Sequence, residues 1–207
     1  MGINLQKGQK INLTKDGQAT LSRIMVGLGW DEAQQSSGSI FGGIFGRGKV
    51  QPIDCDASVI LCGKDGRIVS NDIKECCVYF GNLKHPSGAI VHQGDNLTGE
   101  GEGDDEQIMV NLKQVPSYVE KMVFVVNIYD GHTRNQHFGM IENAFIRLVD
   151  LDKNIEICKF NLSENYDNMT GLVVGEIYRK NGEWKFNAIG QPIQEASRLD
   201  SLLKLYV

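Results

Sequence analysis

The chain predicts an all-β fold, a β-sandwich of two mainly antiparallel sheets with a few short helices and a C-terminal helix. Three observations predict it. About ten short β-like runs follow one another along the chain, separated by frequent turn signals. The tight-turn dipeptides Asp65-Gly66 and Asn181-Gly182 sit between such runs. Helical periodicity is scarce and concentrated at the C-terminus.

The elements follow in order. "LSRIMVGL" is the first β-like run. "ASVILCG" and "RIVS" form a hairpin, because Asp65-Gly66 supplies the positive φ angles of a type I′ turn. "CCVYF", "GAIVH", "QIMVNL", "KMVFVVNIY", "NAFIRLVDL" and "IEICKFNL" continue the series. "TGLVVGEIYR" and "WKFNAIG" are joined by Asn181-Gly182. "PSYVEK" supplies one short helical turn. In "PIQEASRLDSLLKLYV", Ile193, Ala196, Leu199, Leu203 and Tyr206 fall on one helical stripe, and Pro192 is tolerated at a first helical position. The expectation is a helix over 192–207 packed on the sandwich edge, following one domain over 1–191. That domain carries a Ser/Gly-rich insertion at 33–50, whose apolar tip (Ile40, Phe41, Ile44, Phe45) either tucks onto the body or meets a partner.

With 207 residues, 41% hydrophobic and 23% charged, the chain has the composition of a soluble globular protein able to bury a sizeable core. No apolar run approaches the ~18 residues of a membrane span. The N-terminus lacks the apolar core of a signal peptide. No basic cluster marks a nucleic-acid surface. Five cysteines, an odd number with no secretion signal, point to reduced thiols in a cytoplasm, acting as small apolar side chains.

Three motifs fail on their chemistry. "GIFGRGKV" has phosphate-loop spacing, but Val50 stands where a magnesium-binding hydroxyl is needed. His132 and His137 are five apart, a spacing that shares no face of a helix or strand. Ser58 beside Asp56 lacks the GxSxG context of a nucleophile.

The acidic loop "GDNLTGEGEGDDEQ" is different. From Asp95 to Glu106 it holds six carboxylates and three glycines, and its charge of -6 exceeds the net -5 of the whole chain. Such charges repel at roughly 1 kcal/mol per close pair in water. Gly99, Gly101 and Gly103 let the backbone curl and turn carbonyls inward, and Asn96 and Thr98 add neutral oxygens. Hard oxygen donors on a flexible backbone are what calcium takes, with ~6–8 ligands, whereas zinc brings His or Cys. The loop is not an EF-hand: Leu97 and Gly99 stand where ligands belong, and Glu100 replaces the required glycine. "DCDAS" adds Asp54 and Asp56 at strand spacing, side chains to the same side, and "GWD" adds Asp31. These reach the loop if strand ends converge at one end of the sandwich.

The stretches "VGLGWD", "DCDASVIL", "GDNLTGEGEGDDE", "VFVVNIYD", "NAFIRLVD" and "GEIYRKNGEWKFNAIGQ" resemble the tellurite-resistance TerD family of bacterial stress proteins, over residues 1 to about 191. The resemblance implies a calcium-binding β-sandwich linked to resistance against tellurite and other chemical stress. It implies no enzyme activity, and partners among other stress-resistance proteins in cytoplasmic or membrane-associated complexes. The family's acidic positions fall on Asp31, Asp54, Asp56, Asp95, Asn96, Thr98, Gly99, Gly101, Asp104, Asp105 and Glu106. The number of carboxylates leads us to expect two Ca2+ ions sharing the cluster. Two other classes compete: a metal-dependent hydrolase using the same carboxylates, and a structural sandwich whose acidic loop keeps it soluble. The hydrolase lacks a His or Lys near the cluster in sequence.

Overall fold

The computed structural model describes residues 2–14, 21–32, 52–94, 103–162, 164 and 166–207. The insertion at 33–50 and the phosphate-loop-like segment within it lie outside the described residues, as do Asp95, Asn96, Thr98, Gly99 and Gly101.

Among the described residues twelve strands form the body: β1 (Ile3–Leu5), β2 (Lys10–Asn12), β3 (Arg23–Glu32), β4 (Cys55–Cys62), β5 (Cys77–Val78) and β6 (Ile90–His92) come first. Then follow β7 (Glu106–Asn111), β8 (Lys121–Ile128), β9 (Ile141–Asp150), β10 (Ile155–Asn161), β11 (Gly171–Lys180) and β12 (Glu183–Ile193). The short helices are α1 (Ile73–Cys76), α2 (Gly131–Arg134) and α3 (Leu199–Leu203). The strands make two six-stranded sheets, β1-β10-β9-β3-β7-β6 and β2-β12-β11-β8-β4-β5. Among the described residues β1–β10 is the one parallel pairing. The expected sandwich is present.

Alternation builds the core. Val26 and Leu28, Ile108 and Val110, and Ile146 and Leu148 point inward from the first sheet. Ala57, Val59 and Leu61 of β4, with Phe124 and Val126 of β8, meet them from the second. A bulge between Val173 and Gly175 resets the parity of β11, and Gly175 lies against the Phe186 ring, where a Cβ would sit 2.8 Å from ring carbons.

The outward residues of the second sheet are apolar too. Ile60, Val123, Val125 and Val173 form a second cluster with Cys76, Cys77, Ala196 and Leu202. The C-terminal segment therefore covers a sheet face, not the sandwich edge. It is also less helical than its periodicity predicts. Ile193 still pairs with Gly171 in the sheet, and the Thr170 hydroxyl accepts the Ala196 N–H while donating to the Gln194 carbonyl. Those bonds keep the chain in strand through Ile193 and then in a turn and bend, so that helix begins only at Leu199. The predicted stripe nevertheless faces the sheet.

The two tight turns differ. Asn181 and Gly182 both have positive φ, 55° and 79°, and join β11 to β12 in the expected manner. At Asp65-Gly66 only Gly66 is positive, at 80°. Gly66 N–H donates to the Gly63 carbonyl, and "RIVS" contributes only a bridge between Ile68 and Cys62. "PSYVEK" forms a turn closed by Val119 N–H on the Pro116 carbonyl, without helix.

Candidate functional site

Antiparallel pairing of β3 with β7 sets Leu28 opposite Glu106, so the end of β3 and the start of β7 lie together. Glu106 then crosses the sandwich. Its Oε2 accepts the Ala57 N–H at 2.5 Å, on the opposite sheet. His92 of β6 places Nε2 at 3.2 Å from the Ala57 carbonyl and 3.5 Å from Glu106 Oε2. Gly94 N–H donates to His92 Nδ1 at 3.2 Å, which puts the ring proton on Nε2 in the neutral tautomer. β5 pairs with β4 only at Val59 and Ile60. Glu106 and His92 thus take the backbone groups of Ala57, two residues beyond that pairing, and both side chains are fully buried.

Asp105 works one residue earlier. Its N–H donates to the Leu28 carbonyl and its Oδ2 accepts the Trp30 N–H, each at 2.8 Å. Burial raises its pKa, the Trp30 hydrogen bond opposes this, and the charges of Asp31 and Asp104 add to the rise. Asp31 is exposed, with Oδ2 accepting from Asn143 Nδ2 at 2.8 Å.

Asp104 is committed elsewhere. Gln107, Gly27 and Arg147 are register neighbours across β7, β3 and β9. Gly27 leaves a gap in that row, and the Asp104 carboxylate folds over it, where any Cβ would collide with it. Arg147 grips it with two hydrogen bonds, Nε at 2.7 Å and Nη2 at 2.9 Å, and Gln107 Nε2 lies at 3.3 Å. The Asp104 side chain is fully buried, and its hydrogen bonds push the Arg147 pKa up. A bidentate pair of this kind neutralises the carboxylate without a metal.

Asp54 precedes β4, its Oδ2 3.8 Å from Arg134 Nη1. Asp56 faces outward on β4, directly opposite Asn127 of β8, whose Nδ2 donates to Asp56 Oδ2 at 3.2 Å. Between them lies Cys55, its thiol pushed well up by burial and by Glu106, Asp56, Asp54 and Asp105.

Asp31 and Asp104 both act on the Asp105 carboxyl, and Glu106, Asp56, Asp54 and Asp105 all act on the Cys55 thiol. Asp104 is gripped by Arg147, Asp54 lies beside Arg134, and Asp56 is held by Asn127 on the outer face. Among the described residues no three of His, Cys, Asp and Glu form a ready metal-holding group. Sequence reasoning missed Arg147, His92, Asn127 and Arg134. The signal for Arg147 was available: a lone cation in the apolar strand "NAFIRLVD". His92 and Asn127 carry no such mark, because their partners come from other strands. His132 is exposed and His137 Nδ1 accepts the Gly139 N–H, so neither joins the acidic end.

Comparison with known proteins adds to this geometry. The family described as "TerD domain" matches residues 1–206. Stress response protein SCP2 of Bacillus subtilis (strain 168) is 50% identical over 207 residues, 100% of both chains. Tellurium resistance protein TerD of Serratia marcescens is 39% identical over 191 residues, 92% of this chain and 91% of that one. Among solved structures, a homologue of telluride resistance protein (TerD) from Streptomyces coelicolor A3(2) aligns with a TM-score of 0.59 at 21% identity. That alignment covers 84% of this chain and 92% of the other, and bears on the fold alone.

Proposed function

The chain belongs to the TerD family, and on that premise we propose that it is a calcium-binding stress-response protein that works by binding and assembly, without catalysis. What supports the reading is that three acidic segments, carrying Asp31, Asp54 and Asp105, are tied to one another beside the start of β7. The Trp30–Asp105 and Ala57–Glu106 hydrogen bonds tie those segments together.

The donor chemistry fits calcium. Asp31, Asp54 and Asp105 offer hard carboxylate oxygens, and Asp95, Asn96, Thr98, Gly99 and Gly101 would complete the shell. Zinc finds no comparable set here: Cys55 is a buried, protonated thiol, and His92 is engaged at both nitrogens. Bound calcium would supply a charge that holds the repelling loop in one conformation. Arg147 fixes Asp104 and so positions its neighbour Asp105. Asp56 and Asp104 are otherwise engaged; the remaining carboxylates, with the loop oxygens, keep two ions as the stoichiometry to test.

The hydrolase alternative needs a base or proton donor near the metal and open to substrate. His92, adjacent to Glu106, is buried and bonded to backbone, so it serves neither role. We further propose a cytoplasmic setting, with partners among other stress-resistance proteins, including membrane-associated complexes. Among the described residues no helix is long and apolar enough to cross a membrane.

Calorimetric titration of chelator-treated protein decides the matter, with magnesium as control. We expect micromolar or tighter calcium affinity, two ions, and a higher melting temperature. The added stability is about 2.7 kcal/mol at a hundredfold excess over Kd. Asp105→Asn should lose most of it. Equal magnesium affinity, or a melting temperature indifferent to chelator, would leave only a solvated acidic loop. Tellurite survival and calcium-dependent co-purification of partners, compared between wild type and Asp105→Asn, test the stress and assembly roles.

A further inference from the structure

A cavity of about 250 Å³ lies on the outer face of the second sheet, with Asp56, two residues beyond Asp54, in its lining. Its floor is Asp56, Ser58 and Asn127; Tyr79, Phe80 and Tyr129 wall it, and the start of α3 covers it. Each floor residue is at least 95% buried, Asp56 being 5% exposed and Ser58 and Asn127 1% each. Polar groups this deep need hydrogen bonds, since an unmet one costs on the order of 1–3 kcal/mol. Ser58 Oγ and Asn127 Oδ1 have no partner among the described residues.

The orientation of Asn127 follows from chemistry. An ionised Asp56 only accepts, so the Asn127 amide must turn Nδ2 toward it, which leaves Oδ1 as the atom offered to a ligand. The floor therefore presents a carboxylate, an amide oxygen and a hydroxyl. That is a set of acceptors around one carboxylate. Its complement is a cation with several N–H donors. The walls agree, because aromatic faces attract ammonium groups and pack alkyl stems. At the rim, Arg198 is neutralised by Asp130, with hydrogen bonds at 2.8 and 3.0 Å, and Asp200 adds a negative charge. The volume exceeds the ~30 Å³ share of one water and falls under the ~300–1,000 Å³ of drug-sized sites.

We propose that this cavity binds a primary alkylammonium group, three of its acceptors matching the three N–H donors of the cation. The group belongs either to a free aliphatic amine or to a lysine side chain of a partner protein. This site uses Asp56, Ser58 and Asn127, whereas the calcium reading draws on Asp31, Asp54 and Asp105.

The test is amide-resolved NMR titration of the full chain with n-butylammonium, beside 1-butanol and butyrate. We expect saturable shifts confined to residues 56–58, 79–80, 127–129 and 198–203, with the alcohol and the acid at least tenfold weaker. Asp56→Asn should weaken binding tenfold or more and Ser58→Ala severalfold. Phe80→Ala, at a position 44% exposed and safe for folding, should weaken it severalfold with the melting temperature unchanged. Titration with 1,4-diaminobutane and with N-acetyl-lysine amide then separates the sources, the tighter one naming the ligand type. Butanol binding as well as the ammonium, shifts absent at 10 mM amine (water only), or displacement of the amine by calcium would each overturn the proposal.

Discussion

Arg147 is the side chain that determines how Asp104 behaves. Replacing it with Met leaves a buried carboxylate over Gly27 with no cation, and we expect a loss of roughly 2–4 kcal/mol in denaturant unfolding. Asp104→Asn in the same background should restore part of that. A neutral outcome for Arg147→Met alone would mean that Asp104 is solvated or metal-bound. The thiols give a second expectation. Burial pushes Cys62 and Cys158 from 9.0 up to about 12, and Cys55, Cys76 and Cys77 move the same way. A pKa raised in the folded state means full stability below the unfolded value and loss as pH climbs through the folded one. Stability should thus fall between pH 9 and about 12, by at most about 1.4 kcal/mol per pH unit for each thiol. Below pH 9 the folded protein should resist a thiol reagent. Tyr166 and Tyr206, also pushed to about 12, share the alkaline limb, so Cys62→Ala and Cys158→Ala should flatten it only in part. Rapid labelling of the native protein at pH 7 would contradict this. The sequence disclosed the burial of these cysteines through their apolar runs. It hid the Asp104–Arg147 pair, whose members are 43 residues apart.

The C-terminal segment shows what periodicity reveals and what it conceals. The stripe from Ile193 to Tyr206 announced an apolar face, and that face does pack on the protein. Which conformation presents it was settled by competition. Thr170 and Gly171 pair with the segment through Ile193, and Gly171 makes room for Ala196 and Leu202, either of which a Cβ at that position would crowd. Strand pairing wins the first half and helix the second. Leu202→Ala should cost roughly 2–4 kcal/mol, because Leu202 is fully buried between α3 and the sheet. A loss under 1 kcal/mol would mean the segment is only loosely attached. β1 and β2 escaped detection for another reason. Each has three residues, too few for alternation to register, and each gains its partners only from the far end of the chain.

Those two strands close the sandwich on one side, β1 on β10 in the first sheet and β2 on β12 in the second. Glu106 and His92 join the sheets on the other side. The molecule is thus stitched along both flanks by different means, backbone pairing on one and buried side chains on the other. Deleting residues 2–14 should bare the edges of β10 and β12, and we expect self-association by light scattering at concentrations where the full chain stays monodisperse. An unchanged scattering profile would show that those edges need no cover.

The separation of β2 from β12 also has a consequence in time. Asn12 donates to Glu183, a partner 171 residues later. A ribosome adding ~5–20 residues per second takes roughly 10–35 s to cover that distance. From its own emergence until that of β12, β2 waits for its partner strand, and β1 waits nearly as long for β10. A nascent chain that stops before Glu183 holds its N-terminal segment open to chaperones and proteases, and topology alone marks it as unfinished.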